Sequence, residues 1–171
     1  MSVRSSLVSN NPRLVLIPDV PSGEVLEAIG HAVVLFAQLE HYLKVIYKRA
    51  IGGSLPDILD QRSEDSLGGL LNGVTNRGKD KDFVGLQKLV DDNATLRSVK
   101  DQLKKASECA RVRKKYLHGG IARQESGNTW VFLKSGEETS EAQIIPELTQ
   151  VSNDIRNLIK EIQEKIPTPK S

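Results

Sequence analysis

At 171 residues, with 38% hydrophobic and 27% charged side chains, the chain has the size and composition of one globular domain with tails. A formal net charge of +2 excludes binding of nucleic acid through bulk charge, so any such role must rest on local clustering. The single cysteine, Cys109, excludes an intrachain disulfide framework; with no signal pattern and no apolar run near the ~20 residues of a membrane span, the expectation is a cytoplasmic protein without membrane contact.

Residues 1–18 read as a flexible arm, polar and aperiodic, in which Leu14-Val15-Leu16-Ile17 is extended and tucked against the body before Pro18. Glu24 to about Ile51 is the clearest helix, with Ser22 or Asp19 as its cap and Gly52-Gly53 as its stop. Val25, Ile29, Ala32, Val33, Phe36, Leu43 and Tyr47 share one face at helical spacing. Pro56 to about Val74 reads as a second helix, with Gly68-Gly69 in its middle, followed by a charged loop over 76–82. Phe83 to Val90 is a short helix broken at Asp91-Asp92-Asn93.

The helical pattern returns from Thr95 to Leu117, with Leu96, Val99, Leu103, Ala106, Ala110 and Leu117 as its stripe. Ile121 to Leu133 reads as a β-hairpin turning at Ser126-Gly127-Asn128, with Trp130 as a packing residue. Residues 134–143 read as a polar connection, Ile145-Pro146 as the start of the last helix, and Pro167-Thr168-Pro169 as its end. Residues 19–166 then form a single domain, and 167–171 a disordered tail.

Two features carry chemistry. Glu40 falls inside the apolar stripe of the first helix, where a carboxylate is costly unless paired or hydrogen-bonded. It therefore demands a partner from another helix, either a structural contact to a backbone amide or hydroxyl, or an Arg or His that it orients. The second feature is the run Ala110-Arg111-Val112-Arg113-Lys114-Lys115-Tyr116-Leu117-His118-Gly119-Gly120, with four basic side chains and a histidine. A charge run is ordinarily a solvated face. Here Lys100, Lys104, Lys105, Arg111, Arg113, Lys114 and Lys115 stand against only Asp101 and Glu108, which favours an anionic partner.

No spacing for a metal, a P-loop or a serine nucleophile elbow is present in the sequence, and no cofactor is expected. Cys109 reads as packing. Arg113 and His118 point about 140° apart on a regular helix. They converge only if the helix end unwinds near Gly119 or if a second chain faces them across a two-fold axis. His118 is suited to proton transfer near neutral pH, and Arg113 to charge on phosphate oxygens. Together they would cleave RNA without metal, while a helix-end histidine that merely suits the helix dipole is the simpler alternative.

The stretch Arg113-Lys114-Lys115-Tyr116-Leu117-His118-Gly119 resembles the Arg-x4-6-His signature of HEPN domains. Phe36-Ala37-Gln38-Leu39-Glu40-His41-Tyr42-Leu43 is similar to the first long helix of many such domains, and Ser66-Leu67-Gly68-Gly69-Leu70-Leu71 to a recurrent middle segment. The resemblance spans roughly residues 24–166. It implies an all-α fold, a HEPN-like helical bundle with a small β-hairpin before the last helix. It also implies a homodimer whose cleft is lined by both copies of Arg113 and His118, with Glu40 orienting them. The implied reaction is attack by the ribose 2′-hydroxyl, and the implied setting is a toxin–antitoxin or other defence system with an antitoxin or neighbouring protein. Lys104, Arg111, Lys114 and Lys115 would hold the RNA strand. Lys114 departs from the family, which often has asparagine there, and leaves open a member that binds RNA without cutting it. Arg111 offers a second register for the motif arginine. The competing reading is a non-catalytic, dimeric helical interaction module. A nucleotide-transferring enzyme lacks its paired-carboxylate motif.

Overall fold

The computed structural model describes residues 16–17, 19–52, 67–72, 85–94, 96–117, 121–124, 129–132 and 138–166. Residues 1–15 and 18 of the expected arm over 1–18, most of the second helix, the loop over 76–82, the hairpin turn, the tail and His118 lie outside the described residues.

The chain is mainly helical. Helix α1 (Gly23–Ile51) is followed by α2 (Leu67–Asn72), α3 (Leu86–Asp92), a 3-10 turn (Arg97–Val99), α4 (Lys100–Leu117) and α5 (Glu141–Lys165). The side chain of Ser22 caps α1 by accepting from the Val25 amide, and Gly52 ends it in the left-handed region at φ 69°, a conformation that costs glycine little. At 29 residues, α1 is about 43 Å long and forms the spine of the bundle.

The buried face of α1 consists of Val25, Ala32, Leu35, Phe36, Leu39, Leu43, Ile46 and Tyr47. Its centre lies about 50° around the helix from the stripe read in the sequence, because Leu35, Leu39 and Ile46 belong to it. Val33, expected inside, is 45% exposed. This rotation sets Glu40 at the border of the core rather than within it.

Helix α5 packs along α1 and α4, burying Ile144, Leu148, Val151, Ile155, Leu158, Ile159 and Ile162. It starts earlier than expected, at Glu141, because Ser140 and Gln143 form a capping box. Pro146 therefore sits inside the helix, where it lacks the amide to donate to Ala142 and crowds that carbonyl. That cost of about 3 kcal/mol is offset by an inner face of aliphatic side chains worth about 1.5–3 kcal/mol each.

The β-structure is larger than one hairpin. Strands β1 (Leu16–Ile17), β2 (Ile121–Gln124), β3 (Trp130–Phe132) and β4 (Glu138–Thr139) form an antiparallel sheet in that order. The expected hairpin is its centre, with Ile121 opposite Phe132 and Arg123 opposite Trp130. Leu16 pairs with Gln124, so this part of the expected arm is a sheet edge. Strand β4 lies within the expected polar connection, since two residues with one buried side chain carry no apolar signal.

The sheet is tied to the bundle through the turn before α1. Asp19 meets the Arg123 guanidinium at 2.7 Å, and the Ser22 amide donates to Glu141 at 3.0 Å. The Ser22 bond holds the Glu141 carboxyl below its ordinary range. Among the described residues, no helix is long and apolar enough to cross a membrane.

Candidate functional site

Helix α1 presents Val33, Ala37, Glu40, His41 and Lys44 within one arc of about 100° beside its core stripe. Opposite them, the C-terminal end of α4 contributes Arg113 and Leu117, and together these seven residues line a pocket of about 510 Å3. The two residues singled out for chemistry on separate helices are thus neighbours. Glu40 Oε2 lies 3.8 Å from Arg113 Nη2, with side-chain exposures of 18% and 23%.

Arg113 is held inward because the buried face of α4 also lies off the expected stripe. Cys109 and Tyr116 are buried with Leu103 and Ala106, which brings Arg113 to the middle of that face instead of its flank. Glu40 finds the partner from another helix that its position required, although a nearer one comes from its own. Lys44 Nζ is 3.1 Å from Glu40 Oε1, and the Lys44 side chain is only 10% exposed. Two cations therefore share one carboxylate in a partly desolvated setting, and the three groups sum to one positive charge.

Lys44 is not among the site residues expected from the sequence. Its signal was present, since glutamate and lysine four apart on a helix face each other. Periodicity along α1 does not tell such a pair from a solvated one, because what Lys44 faces across the pocket is Arg113 and Leu117 of α4. His41 is not among the expected site residues either. It is exposed, lines the same pocket and stacks edge-on against Tyr42 with ring centres 6.1 Å apart.

The expected strand-holding residues divide. Lys104, Arg111 and Lys114 stand exposed within about 80° on the solvent side of α4. Lys115 does not join them. Its ammonium bonds Glu147 on α5 at 3.1 Å, and Glu147 also accepts from the Tyr116 hydroxyl at 2.5 Å. Arg111 is turned away from Glu40, so Arg113 is the arginine of the run that reaches the pocket. Among the described residues, no group of three or more His, Cys, Asp or Glu side chains is placed to hold a metal ion.

A second groove, of about 550 Å3, lies between α4 and α5. Glu108, Glu147, Asp154 and Glu161 rim it, with Cys109, Val112, Val151 and Leu158 below. Burial pushes the Cys109 thiol up to about 11, as expected of packing rather than of a nucleophile. Comparison with protein-family models, curated proteins and solved structures finds no match to this chain.

Proposed function

We propose that the chain is a HEPN-like, metal-independent endoribonuclease or RNA-binding protein, acting as a homodimer and serving as a toxin or defence component alongside an antitoxin or neighbouring protein. The observation that carries the reading is the approach of Glu40 and Arg113 at 3.8 Å in one pocket, from helices far apart in the chain. Leu117, the last described residue before His118, lines the same pocket.

In this reading the Arg113 guanidinium meets the non-bridging oxygens of an RNA phosphate, where its fixed positive charge stabilises the pentacoordinate transition state. The ribose 2′-oxygen attacks phosphorus, and the bond from phosphorus to the 5′-oxygen breaks. The products are a 2′,3′-cyclic phosphate and a free 5′-hydroxyl. His118 takes the proton from the 2′-hydroxyl or gives one to the departing oxygen. Lys104, Arg111 and Lys114 hold the flanking phosphates, which makes binding salt-dependent.

The test is cleavage of end-labelled single-stranded RNA in the presence of a chelator. Wild type should give cyclic-phosphate ends, and His118→Ala and Arg113→Ala should each lose at least about 100-fold in rate with the fold and oligomeric state retained. No cleavage by wild type on any RNA, together with stable dimerisation, supports the second reading, a non-catalytic interaction module. That reading draws on the uncovered apolar patch of α1, where Val33 is 45% and Val34 57% exposed. In the ribonuclease reading this patch, continuous with the pocket, is where the second copy seats.

A further inference from the structure

We infer that Lys44 is a positioning residue. By neutralising Glu40 it keeps the Arg113 guanidinium available to an anionic ligand in the pocket. The inference builds on the reading of that pocket as a phosphodiester site and adds to it a residue that acts on the ligand through Arg113.

The geometry is asymmetric. Lys44 Nζ is within hydrogen-bond reach of Glu40 Oε1 at 3.1 Å. Arg113 Nη2 stands 3.8 Å from Glu40 Oε2, beyond that reach. An arginine facing a carboxylate in a partly buried site ordinarily closes onto it with two parallel hydrogen bonds near 2.8 Å. Here it does not, and the carboxylate is already committed to an ammonium. Lysine is rarely this buried without a partner and a reason, since its flexible stem readily carries the charge to water. Lys44 instead lies with 10% of its side chain exposed and lines the pocket together with Glu40 and Arg113.

The arrangement divides the labour between the two cations. The Glu40 carboxylate attracts the guanidinium across 3.8 Å without bonding it. Lys44 prevents that attraction from becoming a closed bidentate pair, which an incoming phosphate would have to break. With Lys44 removed, Glu40 becomes the single strong acceptor for Arg113, and the pocket falls from one net positive charge to none.

The test reads Arg113 directly. Phenylglyoxal modifies accessible guanidinium groups, and the rate at Arg113 is followed by mass spectrometry of peptides from the intact, folded protein. Lys44→Met should slow modification of Arg113 at least fivefold. Lys44→Met combined with Glu40→Gln should return it to within twofold of wild type, because no charged carboxylate remains to capture the arginine. Should Lys44→Met fail to fold, Lys44→Gln, which still donates to Glu40 but carries no charge, takes its place with the same expected outcome. An unchanged rate in the single variant, or no recovery in the double variant, overturns the inference. In a second arm, affinity for a fluorescent single-stranded RNA should fall about tenfold in Lys44→Met and recover in the double variant. If wild type binds no RNA, the phosphodiester reading fails, while the modification rates still decide the role of Lys44.

Discussion

Helix α4 has two working sides, and they treat the same kind of charge in opposite ways. On the side facing α5, lysines meet a surplus of carboxylates. Lys105 bonds Glu161 at 2.9 Å, Lys115 bonds Glu147 at 3.1 Å, and Glu108 and Asp154 line the groove between them. On the side facing α1, Arg113 and Lys44 share a carboxylate, Glu40. A single basic run in the sequence is therefore two different things. Part of it is mortar for the bundle, and part is positive charge left in excess at a pocket.

The difference teaches how to discount a charge cluster. Lys105 and Lys115 contribute to the seam between α4 and α5, reinforced by Gln102, which donates to Glu161 at 2.9 Å, and by Lys165, which donates to the Ser98 carbonyl at 2.7 Å. These bonds hold Glu161 below the ordinary carboxylate range. The stability they supply is present above a pH of about 4.5 and is lost as pH falls through the depressed folded value.

The sharpest contrast is chemical reactivity on the α5 side. With its thiol pushed from 9.0 to about 11, Cys109 should carry about a hundredfold less thiolate at pH 8 than an unperturbed cysteine, and burial should slow it further. Alkylation by iodoacetamide should be at least about a hundredfold slower in the folded protein than in urea. Rapid alkylation of the native protein would make this groove, rather than the α1 side, the place to look for chemistry.

The next contrast is in RNA binding. Arg113→Ala should weaken binding of single-stranded RNA about tenfold, whereas Lys105→Met and Lys115→Met should each change it by no more than about twofold, measured by fluorescence anisotropy at fixed salt. Equal losses for all three would erase the distinction between the two sides. The smallest expected effect is structural. Glu147→Ala removes the carboxylate that Lys115 and the buried Tyr116 share, and should cost about 1–2 kcal/mol in urea unfolding with RNA affinity unchanged.

Much of this was legible from residue order. The ends of α1 followed from Ser22 and Gly52 and the sheet centre from Trp130-Val131-Phe132, while α3 runs through Asp91 and Asp92, past the expected break, and stops at Asn93. The demand of Glu40 for a partner followed from one polar residue beside an apolar stripe. The start of α5 was misread because Pro146 is a stronger signal than the Ser140–Gln143 capping box, yet the box determines where the helix begins. The role of Lys44 was not legible. It depends on where α4 packs, because Arg113 and Leu117 opposite Lys44 make it line a pocket rather than stand in solvent.

Taken alone, the chain order determined most of the described helical segments, where several of them stop, and that Glu40 and the basic run at Arg113 needed explaining. These are local matters, decided by periodicity, capping and the cost of an unpaired charge. Only the tertiary structure decided that Arg113, rather than Arg111, reaches Glu40, that Lys44 shares the carboxylate, and that Lys115 belongs to α5. Those outcomes depend on how far each helix rotates to bury its leucines and isoleucines, a compromise among all the packed faces that no single helix contains.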